Sequence, residues 1–333
     1  MLDLTNKSVV ITGGAGFLGS QLALTIEKQH PGCHVIVFDR FRDDKRFPNN
    51  NLTSLGHFKN LINFHGHVIA GDINQPADLQ RLRAIDFDYM IHFAAISDTT
   101  VLNELLMVQT NLNAFTDLLD LCAEKSAPMI YASSAATYGN TAAPNRVGGD
   151  EQPENVYGFS KVMMDRYVEH YSLNHPQLQI TGFRYFNVYG SGENYKGKTA
   201  SMILQLGLQI LDGKQPRLFK YGEQMRDFVY IDDVVNAHLL AMESGVSGTY
   251  NVGSGKARQF KDIVTCLNSS LGTDAEIEYI DNPYTAAYQN HTEADISDTT
   301  DKLGYQPAFT LEKGVEAYTD EIRRIHQHNL FQV

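Results

Sequence analysis

Cysteine is scarce in this 333-residue chain: Cys33, Cys122 and Cys266 are its only three. The number is odd, the residues are far apart and no CxxC pair occurs. That pattern argues against a disulfide framework and against a metal site of the zinc type. Cys122 falls in an apolar helical pattern, where a thiol packs as a small hydrophobe, and such usage fits a reducing compartment. Basic charge is in deficit as well, with 27 Lys and Arg against 39 Asp and Glu and a formal net charge of -12. Phosphate backbones need basic stripes, so nucleic acid is not expected as a partner, although a few local cations can hold a small anion. Long apolar runs are missing: nothing approaches the ~20 residues of a membrane span. After MLDLTNK the chain runs straight into VVITGG without an apolar leader, so no membrane attachment and a cytoplasmic location are expected. Repeats and low-complexity linkers are absent too. What remains, 43% hydrophobic and 20% charged residues, suits a globular chain with a sizeable core.

The first half alternates short apolar strands with amphipathic helices. Strands are expected at Ser8–Thr12, His34–Phe38, His67–Ala70, Tyr89–Phe93 and Met129–Ser133, with helices near Phe17–Gln29, Ala77–Ala84, Asn103–Lys125 and Tyr157–Tyr171. Such alternation implies an α/β fold with a parallel sheet covered on both faces. The second half is less regular. Strands are expected at Ile180–Tyr185, Phe228–Ile231, Thr249–Val252 and Ile277–Ile280. Helices are expected near Ala200–Leu211, from about Asp232, near Phe260–Leu271 and over Leu311–His326. The reading is a doubly wound parallel sheet of the Rossmann type over residues 1–180, to which segments near 225–255 return. A smaller α/β substrate-binding lobe interleaves with it over residues 181–333.

The strand SVVIT runs into Gly13-Gly14-Ala15-Gly16-Phe17-Leu18-Gly19. Glycines at this spacing allow a tight turn, close approach of backbone to a pyrophosphate and packing of helix on strand. The helix N-terminus then offers its free N–H groups to the phosphates. A glycine string alone also serves ordinary turns, but here Asp39 follows twenty residues after Gly19, at the end of the second strand, where a carboxylate meets an adenosine ribose. That Asp points to NAD. Arg40 and Arg46, just beyond it, are suited to a 2′-phosphate and shift the expectation to NADP, with NAD as the alternative. Asp72 and Ile73, past the third strand, are placed to edge the adenine. Phe93, Ala94 and Ala95, ending the fourth, are placed to pass under the cofactor.

The fifth strand ends in Ala132-Ser133-Ser134-Ala135, and Tyr157-Gly158-Phe159-Ser160-Lys161 follows. On a helix, Tyr157 and Lys161 share a face. A phenol of reference pKa about 10 is too weak a base at neutral pH, and a nearby ammonium favours the phenolate. Lys161 is also expected to hydrogen-bond the nicotinamide ribose. Ser134, at a strand C-terminal end, is placed to bind the same substrate oxygen as Tyr157. A lone YxxxK is common on helix surfaces; its order after a dinucleotide turn and a strand-end serine pair is what gives it weight.

With these motifs the chain resembles the extended short-chain dehydrogenase/reductase family of nucleotide-sugar epimerases and dehydratases. ITGGAGFLGS, ISDTT, YASSAATYG, NVYGFSK, GFRYFNVYG, KGKTAS, RLFKYGEQMRDFVYIDDV and YQNHTEADI carry the resemblance over nearly the whole length. It implies epimerisation of a nucleotide sugar, at C6 of a heptose used in lipopolysaccharide core synthesis. It implies catalytic Tyr157, Lys161 and Ser134, with Lys196 as a second acid/base on the other side of the sugar. It further implies a cofactor contact at Asn111 and substrate contacts at Ser97, Ser134, Asn187, Lys198, Gln205, Phe219, Arg226 and Tyr288. It also implies a homo-oligomer, a pentamer. Taken by itself, Lys196 is a loop lysine, whereas Arg226, before the FVYI strand, is suited to a diphosphate.

The chain departs from the family pattern in places. Ser191-Gly192-Glu193 stands where Pro-Arg-Glu is usual, Tyr195 where a His precedes the lysine, and Gln205 where a His contacts substrate. A 4,6-dehydratase is disfavoured, because Ala135 and Ala136 replace the Asp–Glu pair that follows the strand-end residue there. A UDP-sugar 4-epimerase is the runner-up, and a module that binds NADP without turnover is the rival of another class.

Overall fold

The computed structural model describes residues 2–149, 151–282 and 291–330. The first half holds β1 (Ser8–Thr12), α1 (Phe17–Gln29), β2 (His34–Asp39), β3 (His67–Ala70), α2 (Pro76–Arg83), β4 (Tyr89–His92), α3 (Glu104–Val108), α4 (Ala114–Lys125), β5 (Met129–Ser134) and α5 (Val156–Asn174). The second half holds β6 (Ile180–Tyr185), β7 (Asn187–Tyr189), α6 (Met202–Leu211), β8 (Arg217–Phe219), β9 (Met225–Tyr230), α7 (Ile231–Ser244), β10 (Gly248–Val252), β11 (Ala257–Gln259), α8 (Phe260–Leu271), β12 (Glu278–Ile280), α9 (Ser297–Leu303) and α10 (Leu311–Gln327).

Seven strands form one parallel sheet in the order β3-β2-β1-β4-β5-β6-β10. The winding reverses between β1 and β4, and open α/β sheets bind their ligands in the crevice at such a switch point. Pleating decides which face each side chain serves. Val9, Ile11, Val35, Val37, Ile91 and Ile130 point to one layer, shared with Leu22 and Ile26 of α1 and Val234 and Val235 of α7. Val10, Ile36, Phe38, Met90 and Met129 point to the other, shared with Leu118 of α4 and Met164 and Val168 of α5. The first layer runs on without a break into α6, α8 and α10, where Leu311, Val315, Tyr318, Ile322 and Ile325 recur at helical spacing and are buried. The rest of the second half builds two small sheets, β11-β9-β7 and β12-β8.

Several expected boundaries move. A cut at residue 180 falls on the first residue of β6, which belongs to the main sheet, as does the returning β10. The helix expected over Asn103–Lys125 is three pieces, with a π-helical turn at Gln109–Asn113 between α3 and α4. Asn111 stands in that turn. Its side chain accepts from Ile96 N at 2.8 Å and donates to Ile96 O at 2.9 Å and to Ser160 Oγ at 3.0 Å. The wider turn therefore coincides with a side chain that pins a neighbouring segment. The strand expected at Phe228–Ile231 begins earlier, at Met225, because β11 pairs antiparallel with Met225, Arg226 and Asp227. Three-residue strands β7, β8 and β11 and the polar helix α9 carry too little periodicity to be read from sequence.

Candidate active site

The C-terminal ends of the main strands open into a cleft of about 770 Å3. Ligand sites span about 300–1,000 Å3, so this one is of full ligand-binding size. Gly13, Gly16, Phe17, Leu18 and Gly19 line one end, with Asp39, Arg40, Arg46, Asp72 and Ile73. The turn needs its glycines: Gly13 has φ +70°, a Cβ there would lie 2.6 Å from Ala94 N, and one at Gly19 would lie 2.4 Å from Gly13 O. No side chain caps α1 at Gly16. The first-turn N–H groups and the positive end of the helix dipole are therefore free to meet an anion. These features fit a dinucleotide.

Asp39 ends β2 and is buried, with Oδ2 accepting from Ala15 N at 2.9 Å and Oδ1 from Phe41 N at 2.6 Å. Burial raises its pKa and these two bonds oppose the rise. Arg40 donates to Thr53 O at 2.8 Å and Thr53 Oγ1 at 2.9 Å, and Arg46 to Asn50 O at 2.8 Å. Both arginines thus brace the loop at 40–57 along the cleft's edge. Phe93, Ala94, Ala95 and Ser97 form the floor beyond β4. Asn111 stands behind that floor, fully buried and bonded to Ile96, and is not part of the wall as the family pattern implies.

Ser134, Tyr157 and Lys161 meet at the middle of the cleft. Ser134 ends β5, accepts from Ala136 N at 3.1 Å and hydrogen-bonds the Tyr157 phenol. Asn155 caps α5 by accepting from Gly158 N at 2.8 Å, which sets Tyr157 in the first turn and Lys161 one turn on. Expectation fails on the sign of one shift. Lys161 Nζ is 5.9 Å from the Tyr157 ring centre and donates instead to Ala132 O at 2.7 Å. Burial therefore dominates at Tyr157 and raises its pKa, with the Ser134 bond opposing. Lys161 takes the downward shift: burial pushes it to about 8 against the pull of Asp165.

Two buried carboxylates escaped the sequence reading. Asp165, four residues past Lys161, accepts from Tyr131 Oη and Ser133 Oγ, each at 2.9 Å, and from Arg184 Nε at 2.8 Å. Glu193 accepts from Gly190 N at 3.3 Å, Ser201 N at 2.6 Å and Ser201 Oγ at 2.7 Å. A charged residue one helical turn from a catalytic candidate was the available signal for the first.

Lys196 and Lys198 also line the cleft, as does Asn187. Lys196 Nζ lies 5.2 Å from the ring centre of Phe17, the first residue of α1, and burial lowers its pKa against the pull of Glu193. Gln205, Phe219 and Arg226 are not in the wall. Gln205 donates to Ala200 O at 2.7 Å, Phe219 ends β8 in the small two-stranded sheet, and Arg226 donates to Met225 O at 2.9 Å. The Arg226 guanidinium lies 5.8 Å from the ring centre of Phe260, which does line the cleft. Tyr288 lies outside the described residues.

Comparison with known proteins bears on the same elements. The model of the NAD dependent epimerase/dehydratase family matches residues 9–253. ADP-L-glycero-D-manno-heptose-6-epimerase of Helicobacter pylori is 50% identical over 96% of this chain and 97% of its own, with a TM-score of 0.88. UDP-N-acetylglucosamine 4-epimerase of Methanobrevibacter ruminantium is 27% identical over 97% and 99%, with a TM-score of 0.84. UDP-glucose 4-epimerase of Thermotoga maritima is 26% identical over 95% and 99%, also with a TM-score of 0.84. The family match takes in the glycine turn, Ser134, Tyr157 and Lys161 within one span, and likeness to the Helicobacter enzyme extends over nearly the full length. This chain therefore belongs to the NAD dependent epimerase/dehydratase family.

Proposed function

We propose that this enzyme interconverts ADP-D-glycero-D-manno-heptose and ADP-L-glycero-D-manno-heptose by transient oxidation at C6, with NADP held in the cleft. The setting is cytoplasmic supply of the lipopolysaccharide core, and the working form a homo-oligomer, the pentamer of the family pattern. Exposed Leu102, Leu105 and Leu173 are apolar positions that a subunit contact would cover.

One observation carries the reading. Tyr157 and Lys161 come from α5, on one face of the sheet, while Lys196 lies over Phe17 of α1, on the opposite face. Two proton-transfer groups thus border one cleft from two sides. Inverting an alcohol centre by hydride removal and return to the opposite face also takes a proton from the hydroxyl of one epimer and gives one back to the other. Two groups on opposite sides can do this for a sugar held in one orientation, whereas a single Tyr–Lys pair cannot unless the sugar turns over. Tyr157 serves one epimer and Lys196 the other, and the burial that lowers the Lys196 pKa makes its neutral amine accessible as a base. Ser134 holds the reacting oxygen. Gly16, Phe17, Leu18 and Gly19 would hold the pyrophosphate, Asp39, Arg40 and Arg46 the adenosine ribose, Asp72 and Ile73 the adenine, and Lys161 the nicotinamide ribose. The nicotinamide supplies a reversible hydride acceptor. Arg40 and Arg46 at the ribose end support NADP over NAD.

The test is incubation with ADP-D-glycero-D-manno-heptose, following the C6 configuration by NMR. Conversion is expected. Tyr157→Phe and Lys196→Ala should each lose about 10²–10⁴-fold in kcat, the usual worth of a general acid/base. No conversion, with UDP-glucose epimerised at C4 instead and Lys196→Ala mild, would transfer the assignment to a one-base 4-epimerase.

A further inference from the structure

Lys196 is carried on the segment Glu193–Thr199, two short helical turns that meet at a kink at Gly197, and Lys196 to Thr199 line the cleft. One end of the segment is anchored by Glu193, whose carboxylate is fully buried and bound to Gly190 and Ser201. Tyr195, two residues on, is held from the loop at 40–57. His57 closes the loop at 40–57 and is fastened to the glycine turn, its N–H donating to Ala15 O at 2.9 Å. Its Nδ1 accepts from Lys59 N at 3.1 Å. Burial, with the nearby charges of Arg42 and Lys59, pushes the imidazole pKa down to about 4, so the ring is neutral and Nδ1 stays an acceptor at physiological pH. That ring lies flat on Tyr195, with centroids 3.9 Å apart and planes 6° from parallel. Arg42, from the same loop, donates to the Tyr195 carbonyl. Tyr195 is buried, and the residue after it is Lys196.

We infer that Tyr195 is a positioning residue: gripped by His57 and Arg42, it fixes the backbone that presents Lys196 and ties that presentation to the loop bordering the adenosine end. This rests on Lys196 being an acid/base, as proposed above. The grip is rigid because two independent contacts act on one residue, the ring through stacking and the carbonyl through a charged donor. Tyr195 is also one of the chain's departures from the family pattern, which has a His there; here a phenol ring provides the flat surface that His57 covers.

The experiment uses full-length enzyme loaded with NADP, with ADP-D-glycero-D-manno-heptose as substrate. A catalytic group displaced by about 1 Å costs about 10²-fold, so Tyr195→Ala and His57→Ala should each lower kcat by about 10- to 100-fold. KM for the sugar should stay within about twofold, because the contacts that hold the substrate's ground state are untouched. Tyr195→Phe keeps the stacked ring and the backbone carbonyl and should restore kcat. In a Lys196→Ala background, His57→Ala should cost nothing more, a non-additivity that a general loss of folding would not give. Full kcat in both alanine variants would overturn the proposal, as would a double variant slowed by the product of the two single effects. The two readings fail differently. An active Lys196→Ala removes the acid/base assignment and the positioning role with it, whereas an inactive Lys196→Ala beside fully active Tyr195→Ala and His57→Ala removes only the latter.

Discussion

At Lys161, burial and charge pull in opposite directions, and the pKa of about 8 against an ordinary 10.5 says that burial wins. Between those two values the unfolded chain binds a proton that the folded chain does not, so this residue's contribution makes the protein more stable as pH rises through that window. Below pH 8 the folded state bears the full cost of a buried ammonium. The slope is at most about 1.4 kcal/mol per pH unit. Relative to Lys161→Met, the wild type should therefore gain unfolding free energy between pH about 8 and about 10, measured by urea titration; a flat difference would contradict the assigned environment. Asp39 is a second residue whose surroundings matter more than its identity. Both carboxylate oxygens already hold backbone N–H groups of the cofactor turn and the following loop. Removing it would loosen the turn as well as any ribose contact, so changes in coenzyme choice are better sought at Arg40 and Arg46.

Among the elements, the π-helical turn at Gln109–Asn113 shows how a helix can support a site it does not line. Asn111→Leu would leave Ile96 N and Ile96 O without their partner, at about 1–3 kcal/mol for each buried group. The segment carrying Phe93, Ala94 and Ala95 would loosen. We expect a lower urea midpoint together with weaker NADP binding by calorimetry, and a variant unchanged in both would show that the turn is incidental. This turn also marks where sequence reading stops. Strands β1 to β6 and the long helices were legible because their apolar periods run for several residues, and the glycine turn and Tyr157–Lys161 because their spacing is local. The break inside Asn103–Lys125 was not, since apolar spacing hardly changes across one wide turn. Asp165 and Glu193 were hidden because only tertiary packing brings their partners, Arg184 and Ser201, to them. Gln205, Phe219 and Arg226 stand outside the cleft wall, Gln205 and Arg226 donating to nearby backbone carbonyls and Phe219 ending β8, placements that local spacing does not reveal.

On the scale of the whole molecule, one apolar layer joins α1 and α7 to α6, α8 and α10, so the two halves of the sequence share a core. Unfolding should then be a single cooperative step, with far-ultraviolet dichroism and tyrosine emission giving coincident urea transitions. Two separated transitions would mean that the C-terminal helices melt alone. The same arrangement bears on the order in which the protein is made. Strand β6 is buried along its whole length, and among the described residues its outer edge pairs with β10, which lies more than sixty residues later in the chain. Until Gly248–Val252 has left the ribosome, the growing polypeptide presents an unpaired strand edge, the kind that recruits other chains. Nascent copies therefore pass through a sticky stage that ends only when three quarters of the chain has emerged, and this is the stage at which a chaperone has most to protect.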